Sequence, residues 1–407
     1  MARGRCHAIA PIPITGTLDI FVPDTLTIAV VALALASCAY LVLAIERVLR
    51  FRSQLRRPLA SGPMPPVTVM KPLCGEEPGL AENLRSFCRQ DYATFQIVCG
   101  VRDKADPSIA VVDRIKAEFP DVDIVLVTDA RTIGVNLKVA NLAHMLDAAR
   151  YDILVISDSD MRVGPDYLKS VAAPFVSDKV GAATCLYAAS ARLRGGGVAT
   201  QLGAMFINDW FLPSALIPML FGKLSYCFGA TMAVRRDVLE KIGGFVALAD
   251  HIADDYLLGR RVVEQGLDIA FVPYLVENIA NEPNIKTLFA HELRWARTIR
   301  CVQPVGYGFS FITDSVPLAL IAAIVVYMAT SSMAPALALL GGALLLRFGL
   351  HLAVHATVGH KGCLTPWLIP LRDLFSVTVR MSSFFGNKVV WRGQVMTVGP
   401  VNGKSDA

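Results

Sequence analysis

The chain has 407 residues, a formal net charge of +5 and a hydrophobic content of 54%. This hydrophobic content excludes an ordinary soluble protein of that length, so we expect membrane segments. The modest positive charge, without any nucleic-acid-binding motif, predicts no nucleic-acid partner and favours a membrane surface and phosphate groups.

The first predicted element is a membrane helix over residues 25–45, which carry no charge and are long enough to cross the hydrocarbon core. A cleaved signal peptide is the alternative, and the length of the apolar run disfavours it. Residues 46–66 form a basic linker. By the positive-inside bias, residues 1–24 lie outside the cytoplasm and the domain that follows the linker faces the cytoplasm. We therefore expect a multi-pass protein of the inner (cytoplasmic) membrane.

Strands and helices alternate along the next part of the chain. Strands are predicted at 67–70, 95–101, 123–127 and 151–156, and helices at 77–90, 107–119 and 138–150. This alternation predicts an α/β domain with a mostly parallel sheet and helices on both faces. The sequence contains neither GxGxxG nor GxxxxGK(S/T), which excludes these two glycine-rich phosphate-binding loops as routes to nucleotide binding. We assign residues 67–305 to this cytoplasmic domain.

The fourth predicted strand runs directly into two acids, Asp158 and Asp160. Open α/β sheets bind their ligands beyond the carboxyl ends of the strands. Two carboxylates separated by one residue can bind a hard divalent cation such as Mg²⁺ or Mn²⁺. A solvated turn is the alternative, because Asp and Ser are ordinary turn residues.

Beyond Asp160, a strand is predicted at 180–186, followed by the glycine run 195–197. The apolar segment 204–221 contains an acid and two prolines, which favours a buried or interfacial helix pair lining an acceptor site over a membrane span. Asp254 and Asp255 then begin a predicted helix that runs to about Gln265.

Two more spans are predicted near the C terminus. The 32 charge-free residues from Ser315 to Leu346 are too many for one helix and contain a break, so we predict spans at 311–331 and 334–357 within a membrane segment 306–357. Residues 358–407 are predicted to form an interfacial segment and a cytoplasmic tail.

Four polar sites in the cytoplasmic domain could serve one reaction. They are Asp103, the pair Asp158 and Asp160, the pair Asp254 and Asp255, and His291-Glu292-Leu293-Arg294-Trp295. A diphosphate leaves readily only when a cation or a basic side chain neutralises its charge. A separate carboxylate can then take the proton of an attacking hydroxyl.

These roles can be divided among the residues. Asp255 is the candidate base, because an acid committed to a metal could not also accept a proton. Asp254 is a second candidate, although acids are favoured at helix starts by the helix dipole alone. Arg294 can hold phosphate through its planar fork, and Trp295 can stack on a sugar or fix the loop. An interfacial anchor is the alternative for this Arg-Trp pair.

Several stretches resemble one known family. They are Met70-Lys71-Pro72-Leu73, Val101-Arg102-Asp103, Gly134 to Asn141, Asp158-Ser159-Asp160-Met161-Arg162-Val163, Ala253-Asp254-Asp255-Tyr256 and Arg294-Trp295. In these the chain resembles glycosyltransferase family 21, the ceramide glucosyltransferases and their bacterial relatives that glycosylate hopanoids. The resemblance implies a nucleotide-diphospho-sugar transferase fold of the GT-A type, with transmembrane helices at both ends and a D, D, D, (Q/R)xxRW pattern.

The resemblance also implies roles for individual residues. Asp103 would contact the uracil and ribose, Lys138 the diphosphate, and Asp158 and Asp160 the metal and sugar nucleotide. Asp255 would be the base, and Arg294 and Trp295 would close over the pyrophosphate. His291 departs from the pattern, which has Gln or Arg there. Its contact with phosphate is therefore open, and a helix-surface residue is the alternative.

These observations predict an inverting transferase that moves one sugar, with glucose favoured, from a UDP-sugar to a lipid hydroxyl such as that of ceramide. The alternatives are transfer of N-acetylglucosamine to a hopanoid lipid, a processive polysaccharide synthase and a catalytically silent membrane scaffold. Three spans are few for the channel that a synthase needs, and a scaffold would not need the acids. The sequence alone identifies neither the sugar nor the lipid.

Overall fold

The computed structural model describes residues 24–58, 62–191, 197–359, 364–391 and 394–399. The predicted extracytoplasmic segment up to residue 23, two glycines of the predicted run at 195–197, and the end of the predicted tail lie outside these ranges.

An eight-stranded sheet forms the centre of the α/β domain. Its strands are β1 Val67–Pro72, β2 Phe95–Val101, β3 Asp123–Thr128, β4 Ile153–Ile156, β5 Met161–Arg162, β6 Val180–Ser190, β7 Met232–Arg235 and β8 Asp268–Ile279. The order across the sheet is β3-β2-β1-β4-β7-β6-β8-β5. β7 runs antiparallel to β4 and β6, and β5 runs antiparallel to β8, while all other neighbours are parallel. The predicted mostly parallel sheet is confirmed, although β5, β7 and β8 were not predicted.

Fourteen α-helices accompany this sheet and a C-terminal hairpin, β9 Lys388–Trp391 and β10 Gln394–Thr397, within the described residues. The helices are α1 Asp24–Gln54, α2 Leu80–Cys88, α3 Ser108–Glu118, α4 Leu137–Met145, α5 Tyr167–Ala172, α6 Val198–Met205, α7 Leu212–Leu216, α8 Arg236–Lys241, α9 Asp254–Glu264, α10 Ile285–Val302, α11 Pro304–Phe309, α12 Ser315–Thr330, α13 Met333–Val358 and α14 Ile369–Ser383.

Side chains of the central strands alternate between two apolar cores. In β4, Ile153 and Val155 join the core covered by α2, α3 and α5, whereas Leu154 and Ile156 join the core covered by α4 and α9. This alternation follows from the two-residue period of a strand, and a strand buried on both faces is apolar throughout. The second core also includes Phe51 of α1 and Leu350 of α13. The membrane-length helices therefore pack directly on the α/β domain.

Two described helices, α1 and α13, are long and apolar enough to cross a membrane. A third span is present if α12 is counted together with Pro304–Thr313, from which it is bent by 62°. The predicted span at 311–331 thus corresponds mainly to α12, and the bent pair begins earlier, at Pro304. α1 also continues through residue 54, well into the predicted linker, where Arg50 Nε lies 2.9 Å from Glu46 Oε1 one turn away.

The predicted helix pair within 204–221 is instead one helical run. α6 passes through a π-helix at Phe206–Phe211 into α7, and a short 3₁₀ turn follows. α14 buries its charged residues Arg372, Asp373 and Arg380, while Trp367 before it and Leu374 within it are exposed. An apolar outer face of this kind fits the interfacial position that the sequence predicts for this segment.

The end of the described chain returns to the α/β domain. Arg297 of α10 donates hydrogen bonds to the backbone oxygens of Phe385 and Lys388. Val389 and Met396 of the hairpin form an apolar cluster with Ile252, two residues before Asp254. Part of the segment predicted as interfacial and tail thus forms a hairpin beside the predicted site.

Candidate active site

Asn136 joins the start of α4 to the start of α9. Its side-chain oxygen accepts hydrogen bonds from the backbone nitrogens of Lys138 and Val139, at 3.1 and 3.2 Å, which caps α4. Its amide nitrogen donates to His251 O at 2.8 Å and to Asp254 Oδ1 at 3.4 Å. Asn136 therefore brings the first residues of both helices together.

Gly134 allows this close approach. Its φ is +61°, and a Cβ atom there would lie 2.5 Å from the backbone oxygen of Ala249. A larger residue would be strained by the backbone angle and would also collide with the segment before α9.

Lys138 lies at the centre of the candidate site. Its ammonium nitrogen is 2.7 Å from Asp158 Oδ1 and 3.7 Å from Asp254 Oδ2. Burial lowers the pKa of Lys138, but the carboxylates of Asp158 and Asp254 outweigh burial and the net shift of the pKa is upward. The ammonium therefore stays charged and holds together acids from two distant parts of the chain.

The turn between β4 and β5 carries Asp158 and Asp160 and is held on several sides. Lys71, fully buried on β1, donates a hydrogen bond to the backbone oxygen of Asp158. Ser159 Oγ donates to Glu77 Oε2 at 2.5 Å, and Asn83 donates to the Ser159 backbone oxygen at 3.0 Å. The two acids are thus presented by a fixed backbone, not by the solvated turn that was the alternative.

Asp160 faces other acids. Its Oδ2 accepts a hydrogen bond from Asn278 Nδ2 of β8 at 2.8 Å. Burial, followed by the negative charges of Asp158 and Glu77, raises the pKa of Asp160 to about 7. A cation bound between these carboxylates would relieve the repulsion.

Asp255 follows Asp254 in the first turn of α9, and its negative charge acts on Lys138. Its Oδ1 accepts a hydrogen bond from the Tyr256 backbone nitrogen at 2.8 Å. Burial and the neighbouring charge of Asp254 raise the pKa of Asp255 to about 6, in spite of the opposing charge of Lys138. Because this pKa lies close to neutral pH, Asp255 is suited to accept a proton.

The hydroxyl of Tyr187, on β6, interacts with the charges of both Asp255 and Asp160. Burial raises the pKa of its hydroxyl, and the charges of Asp255 and Asp160 raise it further. The phenol therefore stays protonated and can donate a hydrogen bond in the space between those carboxylates.

Asp103 has only local contacts among those described. It is exposed after β2, and its Oδ1 accepts a hydrogen bond from Ala105 N at 2.9 Å. Its position at the carboxyl end of a parallel strand is the predicted one. The structure does not bring its carboxylate into the Lys138 group.

The motif on α10 is anchored by aromatic packing. Trp295 stacks on Phe206, with ring centroids 5.5 Å apart, and Phe206 stacks in turn on Trp210 at 4.9 Å. The Arg294 guanidinium lies 5.9 Å from the Trp295 ring, and its charge also reaches Tyr187. Trp295 thus packs against the helical run of α6 and α7 rather than standing at the surface.

His291 pairs with an acid that is not part of the Lys138 group. Its Nδ1 lies 2.7 Å from Glu282 Oε1, and its ring is 4.1 Å from that of Trp295. His291 is therefore not an isolated helix-surface residue, because it contacts both Glu282 and Trp295. It supports the Trp295 ring.

Asp158 and Asp160 alone do not complete the coordination of a divalent cation, so water or substrate must supply the other ligands. Within the described ranges, no group of three or more His, Cys, Asp or Glu side chains is arranged to hold a metal ion. Asp158 and Asp160 nevertheless offer carboxylate oxygens, and Mg²⁺ is commonly bound by one or two carboxylates together with water and substrate phosphates. These residues fit a cation that arrives with a diphosphate.

Six residues of the site have no role that the sequence motifs predict: Lys71, Glu77, Asn136, Tyr187, Asn278 and Glu282. A signal existed for Lys71, because a lysine directly after four uncharged strand residues implies a buried charge with a partner. Asn136 sits one residue before α4, where an N-cap is expected. The other four are brought to the site only by strand pairing and helix packing.

Comparison with known proteins places this geometry in context. Residues 29–403 match the model of the family described as glycosyl transferase family 21. Ceramide glucosyltransferase 1 of Caenorhabditis elegans is 24% identical over 242 residues, covering 59% of this chain and 51% of that protein. Ceramide glucosyltransferase of Komagataella phaffii is 37% identical over 109 residues, covering 25% of this chain and 21% of that protein.

The match thus spans about half the length of the first relative, 51%, and a smaller share of the second, 21%. Among solved structures, a mannosyltransferase of Pyrobaculum calidifontis in complex with GDP-Man and Mn²⁺ is similar with a TM-score of 0.47 and 20% identity. That match covers 88% of this chain and 99% of the other. The predicted GT-A type α/β domain with membrane-length helices at both ends agrees with the family match and with the sheet described above.

Proposed function

Because the chain belongs to glycosyltransferase family 21, we propose that it is a membrane-bound enzyme that transfers one sugar from a UDP-sugar to a lipid hydroxyl. Glucose is the favoured sugar and ceramide the favoured acceptor. The observation that carries the proposal is the charge arrangement around Lys138. This lysine holds Asp158 and Asp254, while Asp255 beside them has a pKa raised to about 6.

The proposed reaction inverts the configuration at the sugar. The acceptor hydroxyl oxygen attacks the anomeric carbon, and the bond from that carbon to the diphosphate oxygen breaks, so that UDP leaves with the bonding electrons. Asp255 takes the proton of the hydroxyl. Asp255 is not one of the two acids proposed to hold the metal, which leaves it available as a base.

The diphosphate of the donor is proposed to bind between Lys138 and Arg294. In this structure Lys138 is paired with Asp158, which keeps the ammonium fixed until phosphate oxygens can share it. Arg294 can offer two parallel N–H donors from α10. Asp103, at the carboxyl end of β2, is proposed to contact the uridine part.

A bound Mg²⁺ or Mn²⁺ would neutralise negative charge on the departing diphosphate. Asp158 and Asp160 are the residues proposed to hold it. Their presentation on a fixed turn supports this assignment, as does the raised pKa of Asp160, whose causes include the nearby negative charges of Asp158 and Glu77. His291 is proposed to support Trp295 and not to bind phosphate.

The acceptor is proposed to be a lipid because the site adjoins helices suited to a membrane. The ring centroids of Phe211, in the π-helix, and Tyr187 lie 4.8 Å apart, and the charge of Asp255 acts on the Tyr187 hydroxyl. α7, the helix that follows, packs against α1 through a hydrogen bond of 3.0 Å between Tyr40 and Ser214. The helical run of α6 and α7 therefore has the acids on one side and a membrane-length helix on the other.

The cytoplasmic placement of the domain rests on charge. Arg47, Arg50, Arg52, Arg56 and Arg57 follow the apolar part of α1, which favours a cytoplasmic location for the end of this helix. The proposed location is the inner membrane, with the nucleotide sugar supplied from the cytoplasm.

A UDP-release assay on the purified full chain with defined lipid acceptors tests the proposal, with mass spectrometry of the product. The expected product is a lipid that carries one hexose. A polymer would identify a processive synthase, and an N-acetylhexosamine on a hopanoid would identify the other alternative. No UDP release with any sugar or lipid would favour a silent scaffold and refute the proposal.

A further inference from the structure

Arg372 of α14 forms a buried ion pair with Glu292 of α10. Its Nη1 donates to Glu292 Oε1 at 2.6 Å, and its Nη2 donates to Glu292 Oε2 at 2.7 Å. Only 2% of the Arg372 side chain and 1% of the Glu292 side chain are exposed. Two parallel hydrogen bonds of this kind fix the orientation of both side chains as well as their distance. Because Glu292 lies two residues before Arg294, this pair holds the helix that carries the Arg-Trp motif.

The remaining N–H groups of Arg372 are also used. Nη1 donates to the backbone oxygen of Leu202 in α6 at 3.1 Å, and Nε and Nη2 donate to Ser376 Oγ at 3.2 and 2.9 Å. Together with the two hydrogen bonds to Glu292, these account for all five N–H groups of an arginine. Arg372 therefore has no donor left for a substrate, and it can act on the reaction only through the residues that it holds.

The guanidinium of Arg372 also lies over two aromatic rings. Its central carbon is 5.5 Å from the ring centroid of Phe206 and 5.0 Å from that of Phe375. Both distances are in the range of a cation–π contact. Phe206 stacks in turn on Trp295. Arg372 thus reaches the motif on α10 by two routes, one through Glu292 and one through Phe206.

These two routes fix the rotation of α10 about its own axis. Glu292 and Trp295 are three residues apart and share one face of the helix. Arg294 is two residues after Glu292 and does not share that face. Its charge acts on the hydroxyl of Tyr187, which also interacts with the charge of Asp255. When the face with Glu292 and Trp295 is held, the direction of Arg294 is held with it.

The next residue of α14 attaches this helix to a helix of membrane length. Asp373 accepts hydrogen bonds from Arg347 of α13 at 3.2 and 3.3 Å. Since consecutive residues of a helix point about 100° apart, Arg372 and Asp373 can face different neighbours. α14 therefore connects the motif on α10 to a helix that is suited to the membrane.

A buried ion pair adds little stability compared with apolar side chains of the same volume, because both charges lose their water. Two parallel hydrogen bonds supply a defined geometry instead. We propose that Arg372 is a positioning residue for sugar transfer, which holds α10 so that Arg294 meets the diphosphate of the donor. This inference rests on the proposed function and adds to it a residue from the helix with the apolar outer face.

The test is a double-mutant cycle between Arg372→Lys and Arg294→Lys, measured as UDP release by the full chain in lipid nanodiscs. A lysine keeps the positive charge but cannot reproduce the five donors of the guanidinium. We expect Arg372→Lys to lower kcat about tenfold, the effect of one hydrogen bond to a charged group. With Arg294→Lys already present, the same change should lower the residual rate by less than about twofold, because the residue through which Arg372 acts is already altered.

Arg380→Lys is the matched control on the same helix. Arg380 is buried and donates to both carboxylate oxygens of Asp314, at 2.8 and 3.2 Å. Its other described partners, Ser310, Thr313 and Tyr307, also lie outside α10 and the π-helix. Any loss in Arg380→Lys should therefore be the same factor with and without Arg294→Lys. Equal factors for Arg372→Lys as well, or a wild-type kcat in Arg372→Lys, would overturn the proposal.

Glu292→Gln decides the question should Arg372→Lys fail to fold. This change keeps the volume of the side chain and removes its charge and one of its two acceptor oxygens. Its loss of kcat should also shrink to less than about twofold when Arg294→Lys is present. An equal loss in both backgrounds would overturn the proposal.

Acrylamide quenching of Trp295 fluorescence, in a variant that retains only this tryptophan, separates the inference from the proposed function. Arg372→Lys should increase the quenching, and Arg380→Lys should not. That result would support Arg372 as the residue that positions Trp295 even if no sugar were transferred. Sugar transfer with unchanged quenching and with equal losses in both backgrounds would leave the proposed function standing and refute the positioning by Arg372.

Discussion

The ammonium of Lys138 lies 2.7 Å from the carboxylate of Asp158, so the start of α4 and the end of β4 are joined by an ion pair at the carboxyl edge of the sheet. Only 14% of the Lys138 side chain is exposed. A pair so little exposed to water is screened weakly by salt and holds its geometry. Donor phosphates are expected to join this pair.

Lys138→Gln is therefore expected to weaken donor binding and to lower turnover at least ~10²-fold, because charge on the departing diphosphate would be less well neutralised. Titration of UDP-sugar binding and a UDP-release assay measure the two effects. Lys241→Gln is the control, since Lys241 is exposed and pairs only with Asp237 one turn away among the described residues. Wild-type kinetics in Lys138→Gln would exclude a phosphate role for Lys138.

Asp255→Asn should remove turnover, by at least ~10²-fold, yet leave UDP-sugar binding nearly intact. The reason is that the base acts on the acceptor while the nucleotide is held elsewhere. Asp254→Asn is the neighbouring comparison. If Asp255→Asn keeps substantial activity and Asp254→Asn has none, the role of base belongs to Asp254.

The pH dependence follows from the same residue. A base must be unprotonated, and the pKa of Asp255 is raised to about 6, so kcat should rise with pH through about 6 and level off above it. A rate profile between pH 5 and pH 8 in membranes, with protein integrity checked at each pH, measures this limb. A flat profile across that range would argue against a base with this pKa.

Activity should require Mg²⁺ or Mn²⁺ and be lost with excess chelator. Because the pKa of Asp160 is raised to about 7, acidification protonates this residue, and the metal concentration for half-maximal activity should increase as pH falls below 7. Asp160→Ala should weaken the metal dependence at every pH. Full activity in excess chelator would disprove the metal assignment.

Arg294→Lys should lose most activity while the protein still inserts normally, because a lysine cannot form the two parallel hydrogen bonds of the guanidinium. UDP release from membranes with matched expression measures this. Full activity of Arg294→Lys would mean that the Arg-Trp pair serves only as an anchor.

His291→Gln should be tolerated, since a glutamine amide can still donate to Glu282 and rest beside Trp295. His291→Leu keeps the bulk but loses the hydrogen bond, and we expect it to lower activity about tenfold by freeing Trp295. Trp295 fluorescence in a variant that retains only this tryptophan would report the change. Equal activity and equal spectra for the Gln and Leu variants would show that the Glu282 contact is dispensable.

The local pattern of the sequence was sufficient for the first half of the domain. β1 to β4 are short apolar runs separated by helices, and this alternation was enough to predict that the strands are parallel. The acids that follow β4 in the sequence necessarily lie at its carboxyl end. α1 and α13 were recognisable because crossing a membrane depends on length and apolar composition within one segment.

The tertiary structure alone decided which polar groups meet. β7 and β8 pair with strands far away in the chain, and the preference of a segment for a strand depends on such neighbours more than on its own residues. Lys138 with Asp254, and Arg347 and His351 with Asp209, are likewise contacts between distant segments. The sequence shows which residues carry a charge. A buried charge is tolerated only beside a partner, and the fold determines which partner that is.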